Sequence, residues 1–357
     1  MPLRLIADRS AFSRKTRGET RGGQSAPRHT ASPCRSAPES KVAFPSTGWR
    51  RGKCRRPRHQ AEPADGGSMT DVLDRIRALG TAFSLEQIQG SAAIFAPLLP
   101  ACDETMVERD VTYGSDPRHR LDLFGARKPG IARPIVAFVH GGGFIGGDKG
   151  AAGAPFYNNV GAWAARHGWI GCTITYRLAP AHPWPAGRDD VALAIGWLRA
   201  HAADIGGDAD RIVLIGQSAG AAHVAAFAAT DAATGALAGA AMLSGIYNVA
   251  NADRNPYQSA YYGDDPTQFA AQSSIEGLAA TPLPCLYTVA EFDPPDFQRQ
   301  AAAMISRRVA ATGAWPEFHR LAGQNHITPV QQIGSSADAV GPILAGFIDQ
   351  VTRQSIV

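Results

Sequence analysis

The sequence is poor in cysteine and lacks any long apolar run, and each shortage removes a class of protein. Its five cysteines, Cys34, Cys54, Cys102, Cys172 and Cys285, are odd in number, scattered and never spaced C-x-x-C. Neither a disulfide framework nor a cysteine zinc site is indicated, and a reducing, cytoplasmic setting fits best. No run of 18 apolar residues occurs, so no transmembrane helix is expected. No basic start leads into an apolar stretch of the secretory type. H-E-x-x-H is absent, and Asp148 separates Lys149 from Gly147, so the zinc-protease and phosphate-loop patterns both fail. No internal repeat of fixed period is visible.

What is present is unevenly distributed. Residues 1–68 hold 15 Lys+Arg against 5 Asp+Glu, which leaves 20 against 26 for the remainder. The formal charge of +4 therefore hides a basic first segment and a mildly acidic body, and the body offers no case for nucleic-acid binding. Segment 1–68 is rich in Arg, Ser, Pro and Gly without sustained apolar periodicity, a composition expected to be disordered. It reads as an inert tail ahead of a natural start at Met69, as a transit peptide, or as a basic arm. From Met69 onward, 69–104 read as a small helical cap element and 105–357 as one α/β domain. With 45% apolar residues overall the chain can bury a sizeable core.

Periodicity predicts two amphipathic helices, 71–80 and 84–100, the second capped by Ser84 with Gln87 three residues on. Two strands, VERDVTYG and HRLDLFG, flank the turn residues Ser115-Asp116-Pro117. Strands PIVAFVH, WIGCTITY, RIVLIG, GAAMLSG, PCLYTVAEF and WPEFHRL then alternate with helices near 155–167, 188–203, 218–230, 296–312 and 337–352. Only 250–281 reads as irregular and polar. This alternation predicts a three-layer sandwich around a mostly parallel sheet, with an antiparallel edge from the initial hairpin. In such sheets ligands sit at the carboxyl ends of the strands, so chemistry is sought there.

Three strand ends carry reactive side chains. RIVLIG runs into GQSAG, a G-x-S-x-G elbow with Ser218 at its centre. A serine hydroxyl needs a base, and the base needs an orienting carboxylate. Asp293 follows PCLYTVAEF; Glu291 falls within that strand, and Asp296 suits a helix N-terminus. His326 follows the last strand, whereas His319 lies inside it. The order Ser218, Asp293, His326 is that of α/β-hydrolases. At the end of PIVAFVH stands HGGGFIGGDKG (140–150), whose Gly141–Gly146 also satisfies the dinucleotide pattern G-x-G-x-x-G. The next strand ends in TITYRLAP without the acid that would hold a ribose, so an oxyanion turn is the better reading. His167, His201 and Asp204 read as helix-surface residues, and Asp189-Asp190 as acids suited to a helix start.

The stretches HGGGF (140–144), YRLAPAHPWPAGRDDVALAIGWL (176–198), GGDADRIVLIGQSAG (206–220), EFDPPDF (291–297) and NH (325–326) resemble the hormone-sensitive-lipase-like carboxylesterases of the α/β-hydrolase fold. The resemblance covers about 250 residues. It implies cleavage of short-chain carboxylic esters through an acyl-enzyme, without metal or organic cofactor. Ser218 would be the nucleophile, His326 the general base and then acid, and Asp293 its orienting partner. The N–H groups of Gly142, Gly143 and Ala219 would form the oxyanion hole, with His140 bracing the turn from beneath. Gln217 departs from the family, which usually has an acid before the serine. The short segment between GAAMLSG and PCLYTVAEF is also similar to that of arylformamidases, which leaves amide hydrolysis with the same residues open. The apolar face of the N-terminal helices, Leu85, Ile88 and Phe95, reads either as a lid over an acyl pocket or as residues packed on the core. The implied partner is a small-molecule ester, with no nucleic acid and no membrane span; a homodimer is compatible with the sequence. A non-catalytic, ligand-binding hydrolase fold would be expected to lack a triad member, and none is missing.

Overall fold

A computed structural model describes residues 69–126, 130 and 132–353; the expectations for segment 1–68 lie outside the described residues. Eight strands form one sheet: β1 (Val107–Thr112), β2 (Arg120–Phe124), β3 (Arg133–Val139), β4 (Ile170–Ile174), β5 (Gly207–Gln217), β6 (Gly239–Leu243), β7 (Cys285–Phe292) and β8 (Glu317–Asn325). The spatial order is β1-β2-β4-β3-β5-β6-β7-β8. β2 runs antiparallel to both β1 and β4, and every other pair is parallel. Twelve helices are described: α1 (Met69–Ala78), α2 (Leu85–Phe95), α3 (Asn158–Arg166), α4 (Ala186–Ala200), α5 (Ala219–Ala228), α6 (Asp231–Thr234), α7 (Pro256–Tyr262), α8 (Phe269–Gln272), α9 (Ile275–Ala280), α10 (Pro295–Thr312), α11 (Thr328–Gln331) and α12 (Gly341–Thr352).

The unbroken apolar strands follow from burial on both faces. Along β3, Ile135, Ala137 and Val139 join one core while Val136 and Phe138 join the other. β5 repeats the division, with Ile212 and Leu214 against Val213 and Ile215. Side chains alternate across a strand, so apolar residues at every position need a helical layer on each side. The first core is closed by α4 and α5 through residues such as Ile195, Leu198 and Val224, and the second by α3 and α12 through Trp163, Leu344 and Phe347. α3 comes unusually near β4: a Cβ on Gly171 would sit 2.3 Å from the Gly161 carbonyl oxygen. No described helix is long and apolar enough to cross a membrane.

Three expectations need correction. The second helix stops at Phe95 and continues only as a 3-10 turn over Ala96–Leu98. Pro97 cannot donate into an α ladder and disfavours helical geometry in the residue before it. Ser84 does cap the start, accepting from the Gln87 N–H at 3.2 Å. The stretch 250–281 is not irregular, for it holds α7, α8 and α9. Tyr261, Tyr262 and Phe269 turn inward there against Phe144 and Ala219. Helices this short have too few turns to reveal a period. Asp190 is more than a helix-start acid. It is buried and accepts from the Arg177 guanidinium at 2.7 Å, with the His119 ring nitrogen at 3.1 Å.

Two buried histidines are expected to make the fold acid-sensitive. His223 on α5 lies among the rings of Phe144, Tyr176 and Tyr261, and its Nε2 has no hydrogen-bond partner. Burial holds its pKa down to about 3, and holds that of His140 at about 4. An unfolded chain protonates both below about pH 6.5. The folded values are the lower ones, so this contribution to stability is present above that pH and is lost progressively as pH falls toward them, at about 1.4 kcal/mol per group per pH unit. His223→Leu is therefore expected to flatten the fall in unfolding free energy as pH is lowered from about 6.5 to 4, measured by urea titration. An unchanged slope would mean that His223 takes up its proton while folded.

Candidate active site

β5 delivers Ser218 into a sharp turn before α5. Its backbone has φ 55° and ψ −119°, a left-handed setting that costs a non-glycine residue on the order of 1–3 kcal/mol. The glycines on either side are required by contact. A Cβ on Gly216 would lie 2.5 Å from the Gly220 carbonyl oxygen, and one on Gly220 would lie 2.2 Å from that of Val139. The turn is thus wedged between its own helix and the end of β3.

Parallel register brings two other strand ends to the same place. His326, the first residue after β8, is buried, with Nε2 2.8 Å from Ser218 Oγ. Its Nδ1 is 2.6 Å from Asp293 Oδ1, just beyond β7. A carboxylate can only accept, so Nδ1 carries the proton and Nε2 presents a lone pair to the serine hydroxyl. Asp293 Oδ2 accepts from Ser244 Oγ at 2.7 Å and from the Ala290 N–H at 2.6 Å. Both carboxylate oxygens are therefore engaged, which fixes the plane of the group.

The rival residues are engaged with other partners. Glu291 accepts from the Gly323 N–H at 2.7 Å and pairs with Arg320, which together hold its carboxyl below the usual range. His319 is half exposed and its nearest acid partner is Glu317 at 3.9 Å. Asp296 is buried in the first turn of α10 and accepts from the Asp253 N–H at 3.0 Å.

A cavity of about 280 Å³ opens above Ser218. Gly143 and Ala219 line it beside Ser218 and His326, whereas Gly142 is not in its wall. The Gly142 carbonyl accepts from the Gly146 N–H at 3.1 Å, and a Cβ there would lie 2.2 Å from the Gly146 oxygen. With φ values of 125° and 60°, Gly142 and Gly143 both take conformations open mainly to glycine. His140 is buried beneath the loop, stacked on Tyr176 at 4.5 Å, with Nδ1 2.6 Å from the Gly141 carbonyl oxygen.

Several wall residues were not anticipated. Of the three candidate lid residues, Leu85 is exposed, Phe95 is buried in the small cluster with Val72, Ile76 and Ile94, and none of them lines the cavity. Phe83, in the connection between α1 and α2, lines it instead and meets His326 edge-on at 5.4 Å. An apolar residue flanked by Ala82 and Ser84 between two helices was the available signal. Ser244 and Gln217 were legible only as polar residues at strand ends. Gln217 Nε2 donates to the His326 carbonyl at 2.9 Å. A larger cavity of about 820 Å³ lies over the β1–β2 edge, where Lys149 and Arg109 already pair with Asp122. Among the described residues no group of three or more His, Cys, Asp or Glu side chains is arranged to hold a metal ion.

Residues 121–251 match the BD-FAE family model. Esterase LipQ of Mycobacterium tuberculosis is 32% identical over 238 residues, 58% of this chain and 55% of its own length. Esterase LipC of the same organism is 37% identical over 125 residues, 35% of this chain and 30% of its own. The chain thus spans about half or less of these curated relatives. Among solved structures, esterase B from Lactobacillus rhamnosis superposes with a TM-score of 0.60 at 17% identity, over 79% of this chain and 96% of that one, a likeness of fold. Sheet order and the likeness to esterase B give this chain the α/β-hydrolase fold, and over the matched segment it is similar to the BD-FAE family, with esterases among its sequence relatives.

Proposed function

We propose that the protein hydrolyses short-chain carboxylic esters through an acyl-enzyme, with Ser218, His326 and Asp293 as its catalytic triad. The observation that carries this reading is the unbroken path Ser218 Oγ to His326 Nε2 to Asp293, at 2.8 and 2.6 Å. His326 takes the hydroxyl proton as Ser218 Oγ attacks the ester carbonyl, and the imidazolium formed is stabilised by Asp293. The oxyanion is received by backbone N–H groups of Gly143 and Ala219, with Gly142 as the third candidate donor. Each such donor is worth about 2.7–4 kcal/mol in the transition state. His326 then returns its proton to the departing alcohol. Water, deprotonated by the same imidazole, attacks the acyl carbon and frees the acid and Ser218.

Small esters are favoured by the size of the cavity and by the apolar rings of Phe83, Phe144 and Phe297 in its wall. Free thiols at Cys102, Cys172 and Cys285 support a reducing, cytoplasmic setting.

Ser218→Ala is expected to lower kcat for 4-nitrophenyl butyrate by several orders of magnitude with little change in melting temperature. Turnover of an aryl formamide orders of magnitude faster than of matched esters would replace the ester reading with an amidase one. Failure of Ser218 to react with a fluorophosphonate would replace both with a non-catalytic binding role. Ser244→Ala should lower kcat by about ten- to a hundredfold with KM nearly unchanged, because a hydrogen bond to a charged carboxylate contributes about 1.5–3 kcal/mol. Full activity in that variant would show that the Ala290 N–H alone suffices to orient Asp293.

A further inference from the structure

One wall of the Ser218 cavity carries a polar group without a partner. Gln258, on α7, is 4% exposed, and its Nε2 donates toward Asp296 Oδ2 at 3.4 Å. The reverse orientation would set two acceptors against each other, so the carboxylate fixes the amide. Gln258 Oε1 is left buried with no hydrogen-bond partner. A buried acceptor in that state costs about 1–3 kcal/mol, which a ligand with a suitable donor would recover.

The same wall is short of positive charge. Asp253 and Asp296 both line the cavity. Their shared cation is Arg299, which lies 2.5 Å from Asp253 Oδ1 but only 3.5 Å from Asp296 Oδ1. Arg254, the other nearby guanidinium, is engaged by Asp264 at 3.0 Å. The group of Asp253, Asp296 and Arg299 therefore carries a net negative charge when both carboxyls are ionised. Burial pushes the Asp296 carboxyl above its ordinary range, by more than the Arg299 guanidinium at 3.5 Å offsets. Asn255 Oδ1 is already used by the N–H groups of Tyr257 and Gln258, so it does not compete. Rings of Phe83, Tyr257 and Phe297 complete this side, and their faces attract cations.

We infer that the wall formed by Asp296, Gln258 Oε1 and these rings is a seat for a protonated primary amine, so that the preferred substrates are small esters bearing an ammonium group. This rests on the ester-hydrolase reading and names the substrate class of the same site. An ammonium supplies three donors and a positive charge. It satisfies Gln258 Oε1 and adds a second positive charge beside Asp296, whereas a neutral hydroxyl leaves that carboxylate to the single Arg299 guanidinium it shares with Asp253.

The test is competition against hydrolysis of 4-nitrophenyl butyrate by the full chain at matched ionic strength. Butylammonium chloride should inhibit competitively at least ten times more strongly than butan-1-ol. That ratio should fall toward one in Asp296→Asn and at least threefold in the near-isosteric Gln258→Met. Fluorophosphonate labelling of Ser218 reports whether each variant is folded; if Asp296→Asn is not, the Gln258→Met ratio decides. Equal inhibition by amine and alcohol in the wild type, or ratios unmoved in folded variants, would overturn the ammonium seat while leaving ester hydrolysis intact. No hydrolysis together with no labelling would instead overturn the reading beneath it.

Discussion

The left-handed backbone of Ser218 is the constraint around which the rest is arranged. A parallel strand that turns directly into a helix must reverse within one residue, and at φ 55° that residue is strained. The strain persists because the surroundings over-determine it. The Ser218 N–H is held by the Leu243 carbonyl at 2.9 Å, and Gly220 is pressed against the end of β3. Two cores on opposite faces of the sheet keep those strands rigid. The hydroxyl is thereby held at the edge of a small cavity without any side-chain device of its own.

The histidine depends on a different set of supports. The loop after β8 is held by Asn325, which is fully buried and caps the next turn by accepting from the Ile327 and Thr328 N–H groups at 2.9 and 3.1 Å. Asn325 Nδ2 donates to Ser91 Oγ on α2 at 3.0 Å. The second N-terminal helix thus acts as a clamp on the histidine loop. The cluster of Val72, Ile76, Ile94 and Phe95 is what holds the clamp together. An element that the sequence leaves open as a lid or as core packing is structural, and its contribution to the cavity is the single ring of Phe83.

Legibility in the sequence followed the range of the interactions. Strands buried on both faces are readable because every residue reports the same environment. Ser218, Asp293 and His326 are readable as polar residues at strand ends, since a parallel sheet aligns all such ends on one side. The wall of the cavity is not readable in this way. Asp296 meets the Asp253 N–H across 43 residues, and Asn325 meets Ser91 across 234. Asp296 also satisfies a local rule, an acid in the first turn of a helix, and that rule conceals its second role facing the cavity. Helices α7 to α9 were hidden by their length, and Asp190 by the distance in sequence between it and His119.

Gln217 shows how a departure from a family pattern can be resolved by its neighbours. The resemblance leads one to expect an acid before the serine, but the atom its side chain meets is the carbonyl oxygen of His326. A carboxylate facing a carbonyl would set two acceptors together in a buried site, and an amide removes that conflict by donating. The other end of the same amide lies against the glycine turn, where a Cβ on Gly141 would be 2.4 Å from Gln217 Oε1. The side chain therefore bridges the turn that holds Gly142 and Gly143 and the loop that holds His326. In the proposed reaction the oxyanion donors and the general base must keep register to a fraction of an ångström. A neutral residue that touches both loops meets that demand without adding a second charge beside Asp293.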